Sequence, residues 1–189
     1  MVNDLRRKRP SRQPKDSVLL LVEGKITEKL YFKGMCRKLS LRSITVEGPS
    51  GVPITAVEAA LSRRIDFDEV WCVFDVDDHP RLKEAIHRAA QGGVQVALSN
   101  PSFEIFLLLH FEYFSKPCTR AQVRRALKKH LPEYEKHIDF EIFWGAYKAG
   151  LINNLRLEKW HQSSGTTGRP PSTGAFRLAE KLHEMAKAK

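Results

Sequence analysis

Three carboxylates within four positions close the apolar run VWCVFDVDDHP, residues 70–80: Asp75, Asp77 and Asp78. Side chains two apart on an extended chain point to the same side, so Asp75 and Asp77 converge while Val76 and Asp78 turn away. Two carboxylates held together near neutral pH need a countercharge. A hard divalent cation supplies it, since Mg²⁺ takes oxygen ligands, keeps several waters and is commonly held by one or two carboxylates plus substrate phosphates. The plain alternative is a solvated acidic turn capping the next helix, where Asp is ordinary.

The elements that must position these residues can be read from the apolar spacing. SVLLLV (17–22) is a strand buried on both faces. Tyr31, Phe32, Met35, Cys36 and Leu39 recur at helical spacing, so a helix spans 28–39. SITVE (43–47) is a short strand, and Pro53 opens a helix with Ile54, Val57, Leu61 and Ile65 on one face. Residues 69–75 form the third strand, 81–90 a helix and VQVALS (94–99) the fourth strand. NPSFEIFLLLHF then starts another helix with Pro101 in its first turn. This alternation argues for an α/β domain built on a mainly parallel four-stranded sheet with strands 1 and 3 adjacent. Beyond about residue 115 the pattern is helical only.

Ligands of open parallel sheets bind beyond the carboxyl ends of the strands. That rule gathers Glu23 after strand 1, the aspartates after strand 3, and Asn100 with Glu104 after strand 4 on one edge. The ordered set of an E-G after the first strand and a D-x-D after the third resembles the Toprim catalytic domain of topoisomerases, primases and overcoming-lysogenization-defect nucleases. LLLVEGKITEKLYFKGM, VWCVFDVDDHP and ALSNPSFEIFLLLHF together look more closely like the RloB family of Toprim-like proteins.

The resemblance implies a Toprim-like Rossmannoid domain over 17–114; the helical pattern of 115–189 is expected to be an extension packed on the same domain, and the charge and prolines of 1–16 a disordered basic arm. The resemblance also implies a Mg²⁺- or Mn²⁺-dependent phosphodiester nuclease of bacterial phage-defence or restriction-associated systems, acting on DNA or RNA beside an ABC-type ATPase. Glu23 would be the general acid/base and also touch the metal, with Asp75 and Asp77 as its ligands and Glu104 an extra ligand. GRPPSTGAFRLAEKL, from 168, resembles the family's C-terminal N-P-S-T block with Pro170, which has no polar side chain, in place of asparagine.

The chemistry is coherent without the name. Cleaving a phosphodiester needs charge stabilisation, a nucleophile potent at neutral pH and a proton for the leaving oxygen, which divalent cations and a glutamate can cover. Lys25 stands two residues past Glu23 and could contact a phosphate, or serve as a surface lysine at a helix start. It lacks the upstream glycines of a Walker loop. His79 leads into a helix behind Pro80, and His110 lies on a strongly apolar helix as a hydrogen-bonded core residue. None of the seven histidines has zinc spacing.

The formal net charge of +10 suggests a polyanionic partner. Residues 1–15 carry six Lys/Arg against one Asp. In TRAQVRRALKKHL, Val123, Ala126, Leu127 and Leu131 make one helix face and leave Arg124, Arg125, Lys128 and Lys129 on the other, a pattern suited to a phosphate backbone or to solvent. Cys36, Cys72 and Cys118 give neither a disulfide framework nor a metal pair. No apolar stretch approaches the roughly 20 residues of a membrane helix, so a cytoplasmic protein is expected. Two other classes fit parts of the pattern. One is a non-catalytic nucleic-acid-binding or ATPase-partner module. The other is a haloacid-dehalogenase-type phosphatase, whose nucleophilic aspartate follows the first strand instead of the third.

Overall fold

The computed structural model describes residues 17–48, 50–76, 79–165 and 168–188. The basic arm, Asp77 and Asp78 lie outside the described residues.

β1 (Val18–Val22), α1 (Thr27–Lys38), β2 (Ile44–Glu47), α2 (Pro53–Ser62), β3 (Glu69–Asp75), α3 (Leu82–Gln91) and β4 (Gln95–Asn100) alternate as the apolar spacing requires. They are followed by α4 (Glu104–Leu108), α5 (Arg120–His130), α6 (Phe140–Gly145), α7 (Tyr147–Ser164), β5 (Ser172–Thr173) and α8 (Ala175–Lys187). The sheet order is β2-β1-β3-β4-β5, with every pair parallel except β4–β5. The chain leaves β1 toward β2 on one side and returns to β3 on the other, so the order reverses between β1 and β3. Their carboxyl ends therefore flank the crevice where such sheets bind ligands.

Period-two alternation divides the strands between two cores. Val18, Leu20, Val22, Trp71 and Val73 pack against α1, α6 and α8, while Leu19, Leu21, Val70, Cys72 and Phe74 pack against α2 and α3. All five residues of β1 are buried, which is why its sequence is apolar without interruption. Ile105, Leu108, Leu109, Val123 and Leu157 form a third cluster joining α4, α5 and α7. Cys72 is a core residue, and no helix among the described residues is long and apolar enough to cross a membrane.

Three details depart from the sequence reading. The chain beyond 115 is not helical only: Ser172 and Thr173 add an antiparallel strand, paired with Asn100 and Ser99, that the apolar pattern cannot show in two polar residues. The helix expected to hold Pro101 in its first turn begins at Glu104, after a cis Asn100–Pro101 bond. Ile65 does not extend the apolar face of α2. The helix stops at Ser62, and the following 3₁₀ turn, Arg64–Asp66, swings Ile65 out to 92% exposure.

Candidate active site at the β1–β3 switch point

Glu23 continues the β1–β3 ladder by one step, its N–H donating to the Val73 carbonyl at 2.9 Å. Its carboxylate then turns across the crevice and accepts the Asp75 N–H at 3.1 Å. The other Glu23 oxygen lies 3.5 Å from Nε2 of His79, so the histidine stands beside the acid at the start of the α3 approach. The two residues expected at adjacent strand ends are thus bonded to each other.

Asp75 is held on both oxygens. Oδ1 accepts the Phe103 N–H at 2.8 Å, and Oδ2 accepts from Nη2 of Arg120 at 2.9 Å. Burial pushes the Asp75 carboxyl up to about 8, and Glu28, Glu104 and Glu23 add like-charge repulsion against the opposing pull of Arg120. Glu28 is also raised, chiefly by burial, with Glu104 and Glu23 contributing.

Glu28 is a site residue that sequence reasoning missed. It sits in the first turn of α1, and its carboxylate occupies the space over Gly24, where any Cβ would collide with it. The glycine of the E-G pair is therefore needed for the close approach of a second acid. The signal was present as a glutamate five residues after Glu23 in EGKITE, but only the start of α1 folds it back.

A cleft of about 370 Å³ opens here, lined by Glu23, Lys25, Glu28, Asp75, Arg120 and Lys136 among others. Arg120 and Lys136 were also not foreseen. The capping box of Thr119 and Gln122 starts α5 so that Arg120 is its first residue and reaches back to Asp75, donating as well to the Pro101 carbonyl at 3.2 Å. Lys136 has a left-handed backbone, φ 81°, uncommon for a residue with a side chain. Thr27 fixes it by donating to its carbonyl at 2.6 Å.

Glu104 is brought near the cluster but is already engaged. It is buried, and its Oε1 accepts from Nζ of Lys136 at 2.5 Å and from the Tyr134 hydroxyl at 3.1 Å. Burial works against its charge, yet the hydrogen bond from Lys136 and the Lys136 charge help to outweigh it and hold the carboxyl below its ordinary value.

Lys25 is exposed at the cleft. The four cations of α5 divide: Arg124 and Lys128 both pair with Glu135 from the next loop, while Arg125 and Lys129 are exposed. A single carboxylate absent from the helix itself therefore engages two of the four cations on that face. Ser99 and Thr173 hydroxyls meet at 2.8 Å, and Asn100 donates to the Gly168 carbonyl at 2.9 Å, so the 168–173 segment folds onto the end of β4.

Among the described residues no three His, Cys, Asp or Glu side chains form a ready cation cage. The donor chemistry nevertheless fits a hard divalent ion: Glu23, Glu28 and Asp75 offer oxygen atoms to one cleft, and their mutual repulsion is what such an ion relieves.

A family model described as RloB-like protein matches residues 18–186, and the chain belongs to that family. No curated protein and no solved structure matches it.

Proposed function

We propose that the protein is a metal-dependent phosphodiester nuclease of Toprim type acting on DNA or RNA. The observation that carries the reading is the bonded pair Glu23 and Asp75 at the switch point, crowded by Glu28 around an open cleft. Asp75 and Asp77 would hold Mg²⁺ or Mn²⁺, with Glu23 and Glu28 as further oxygen donors. Glu104 would join them only by giving up Lys136. The cation would supply charge stabilisation at phosphate oxygens and a lowered water pKa.

This chain's own residues would do the rest. Glu23, oriented by the Asp75 N–H and flanked by His79, would exchange a proton with the attacking or leaving oxygen. Lys25 and the α5 cations would attract the polyanion, in keeping with the net charge of +10. Membership of the RloB-like family supports, as part of the same proposal, a cytoplasmic role in bacterial phage defence with an ABC-type ATPase partner. The test is incubation of the protein, alone and with such an ATPase, with plasmid, single-stranded DNA and bulk tRNA in Mg²⁺, Mn²⁺ or EDTA. Cleavage of at least one substrate that EDTA stops is expected. No cleavage under any of these conditions would favour the non-catalytic binding module.

A further inference from the structure

Arg120 occupies a position that helix electrostatics disfavours. It is the first residue of α5, where the macrodipole repels a cation, and its guanidinium is held instead by Asp75 and the Pro101 carbonyl. The acid it neutralises is one of the two that the proposed cation would need. Arg120 and the cation therefore compete for Asp75.

The same arrangement recurs around the rim. Lys136 lies on Glu104, and Arg124 and Lys128 lie on Glu135. Arg120, Arg124 and Lys128 are spaced by four, so they form one stripe that climbs about 12 Å along α5 from the cleft. Arg125 and Lys129 point off that stripe. Asp75 shields Arg120 and the single carboxylate of Glu135 shields both Arg124 and Lys128, and a phosphate chain could replace those two partners in turn.

We infer that Arg120 is a substrate-phosphate-binding residue that neutralises Asp75 until a divalent cation takes that carboxylate, and that the bound nucleic acid strand continues along Arg124 and Lys128. This rests on the metal-dependent reading proposed above. Arginine suits the exchange because its planar fork binds carboxylate and phosphate in the same geometry.

The test uses the full chain, Mn²⁺ alone, and a fluorescein-labelled single-stranded oligonucleotide in Ca²⁺. Arg120→Gln should bind Mn²⁺ several-fold tighter, because its competitor is gone. The same variant should bind the oligonucleotide about tenfold more weakly, with its salt slope reduced by about 0.7, as for one lost phosphate contact on a single strand. Arg120→Lys should restore that slope. Glu135→Gln, on an exposed loop, should bind the oligonucleotide more tightly, and Arg124→Gln with Lys128→Gln should weaken it more than Arg125→Gln with Lys129→Gln. A purely structural Arg120 would not couple tighter metal binding to weaker oligonucleotide binding. Unchanged oligonucleotide affinity and slope in Arg120→Gln would overturn the assignment, as would Mn²⁺ affinity that does not rise or a parent that does not bind the oligonucleotide. Should Arg120→Gln not fold, the Glu135 and paired α5 variants decide the strand path. These shifts without cleavage by the parent would sink the nuclease reading and leave the Arg120 assignment standing.

Discussion

The Glu28 carboxylate lies where a Cβ on residue 24 would stand, so Gly24 and Glu28 form a matched pair in which one residue's missing side chain admits the other's charge. Gly24→Ala should push the flexible Glu28 side chain aside rather than break the backbone. Its melting temperature should stay within a few degrees of the parent, while Mn²⁺ affinity and cleavage fall about tenfold. A titration calorimeter and a melting curve check both halves; unchanged metal affinity would remove Glu28 from the site.

Asp75 is half-buried beside like charges that a cation would relieve. Without metal, Asp75→Asn should melt no lower than the parent, since the burial and like-charge repulsion it relieves offset the lost Arg120 ion pair while its amide oxygen still accepts the Phe103 N–H. Added Mg²⁺ or Mn²⁺ should raise the parent's melting temperature and leave Asp75→Asn and Asp77→Asn nearly unmoved. An equal rise in all three proteins would place the cation elsewhere.

His110 provides a pH test of the core. It is buried, bonded at 3.0 Å to the Tyr31 hydroxyl and at 2.9 Å to the Phe106 carbonyl. Burial lowers its pKa to about 4 from the usual 6.5. The unfolded chain therefore takes up the proton first as pH falls. The stability that His110 contributes is complete above about 6.5 and is lost as pH drops toward 4, by roughly 3 kcal/mol. Asp75, whose carboxyl is raised, works in the opposite direction, so the comparison must be with His110→Gln. Urea unfolding at several pH values should show a steeper acid loss in the parent than in that variant; parallel curves would exclude the effect.

Gly34 on α1 faces the Phe140 ring of α6 with no room for a methyl group. The ring is a rigid core aromatic, 5.3 Å from that of Tyr31, so it cannot step aside as Glu28 can. Gly34→Ala should cost about 2 kcal/mol by overpacking, even though alanine favours a helix. Denaturant unfolding of the variant gives the value directly, and an unchanged midpoint would mean that α6 shifts freely.

What the sequence could carry was local or periodic. The unbroken apolar character of β1 and β3 located their ends, and with them Glu23 and Asp75, because a strand buried on both faces leaves polar residues only where it stops. Arg120 and Lys136 were hidden because their partners lie 45 and 32 positions away, and nothing in TRAQVRRALKKHL separates Arg120 from its neighbours. Glu135 is only 7 and 11 positions from Lys128 and Arg124, but it lies past the end of α5, where helical spacing no longer says which residues meet, so α5 looked more one-sided than it is. β5 has two polar residues and forms only because the end of β4 is there to pair with it.

The central claim is that Glu23 and Asp75 act together on a phosphodiester, and the most direct measurement is the single-turnover cleavage rate of Glu23→Gln in Mn²⁺, on whichever substrate the parent cuts. Glutamine keeps the shape of the side chain and its capacity to accept the Asp75 N–H, but cannot carry the proton. The account predicts a folded variant that binds nucleic acid as the parent does and cleaves at least a hundredfold more slowly. A folded Glu23→Gln cutting at the parent's rate would contradict it.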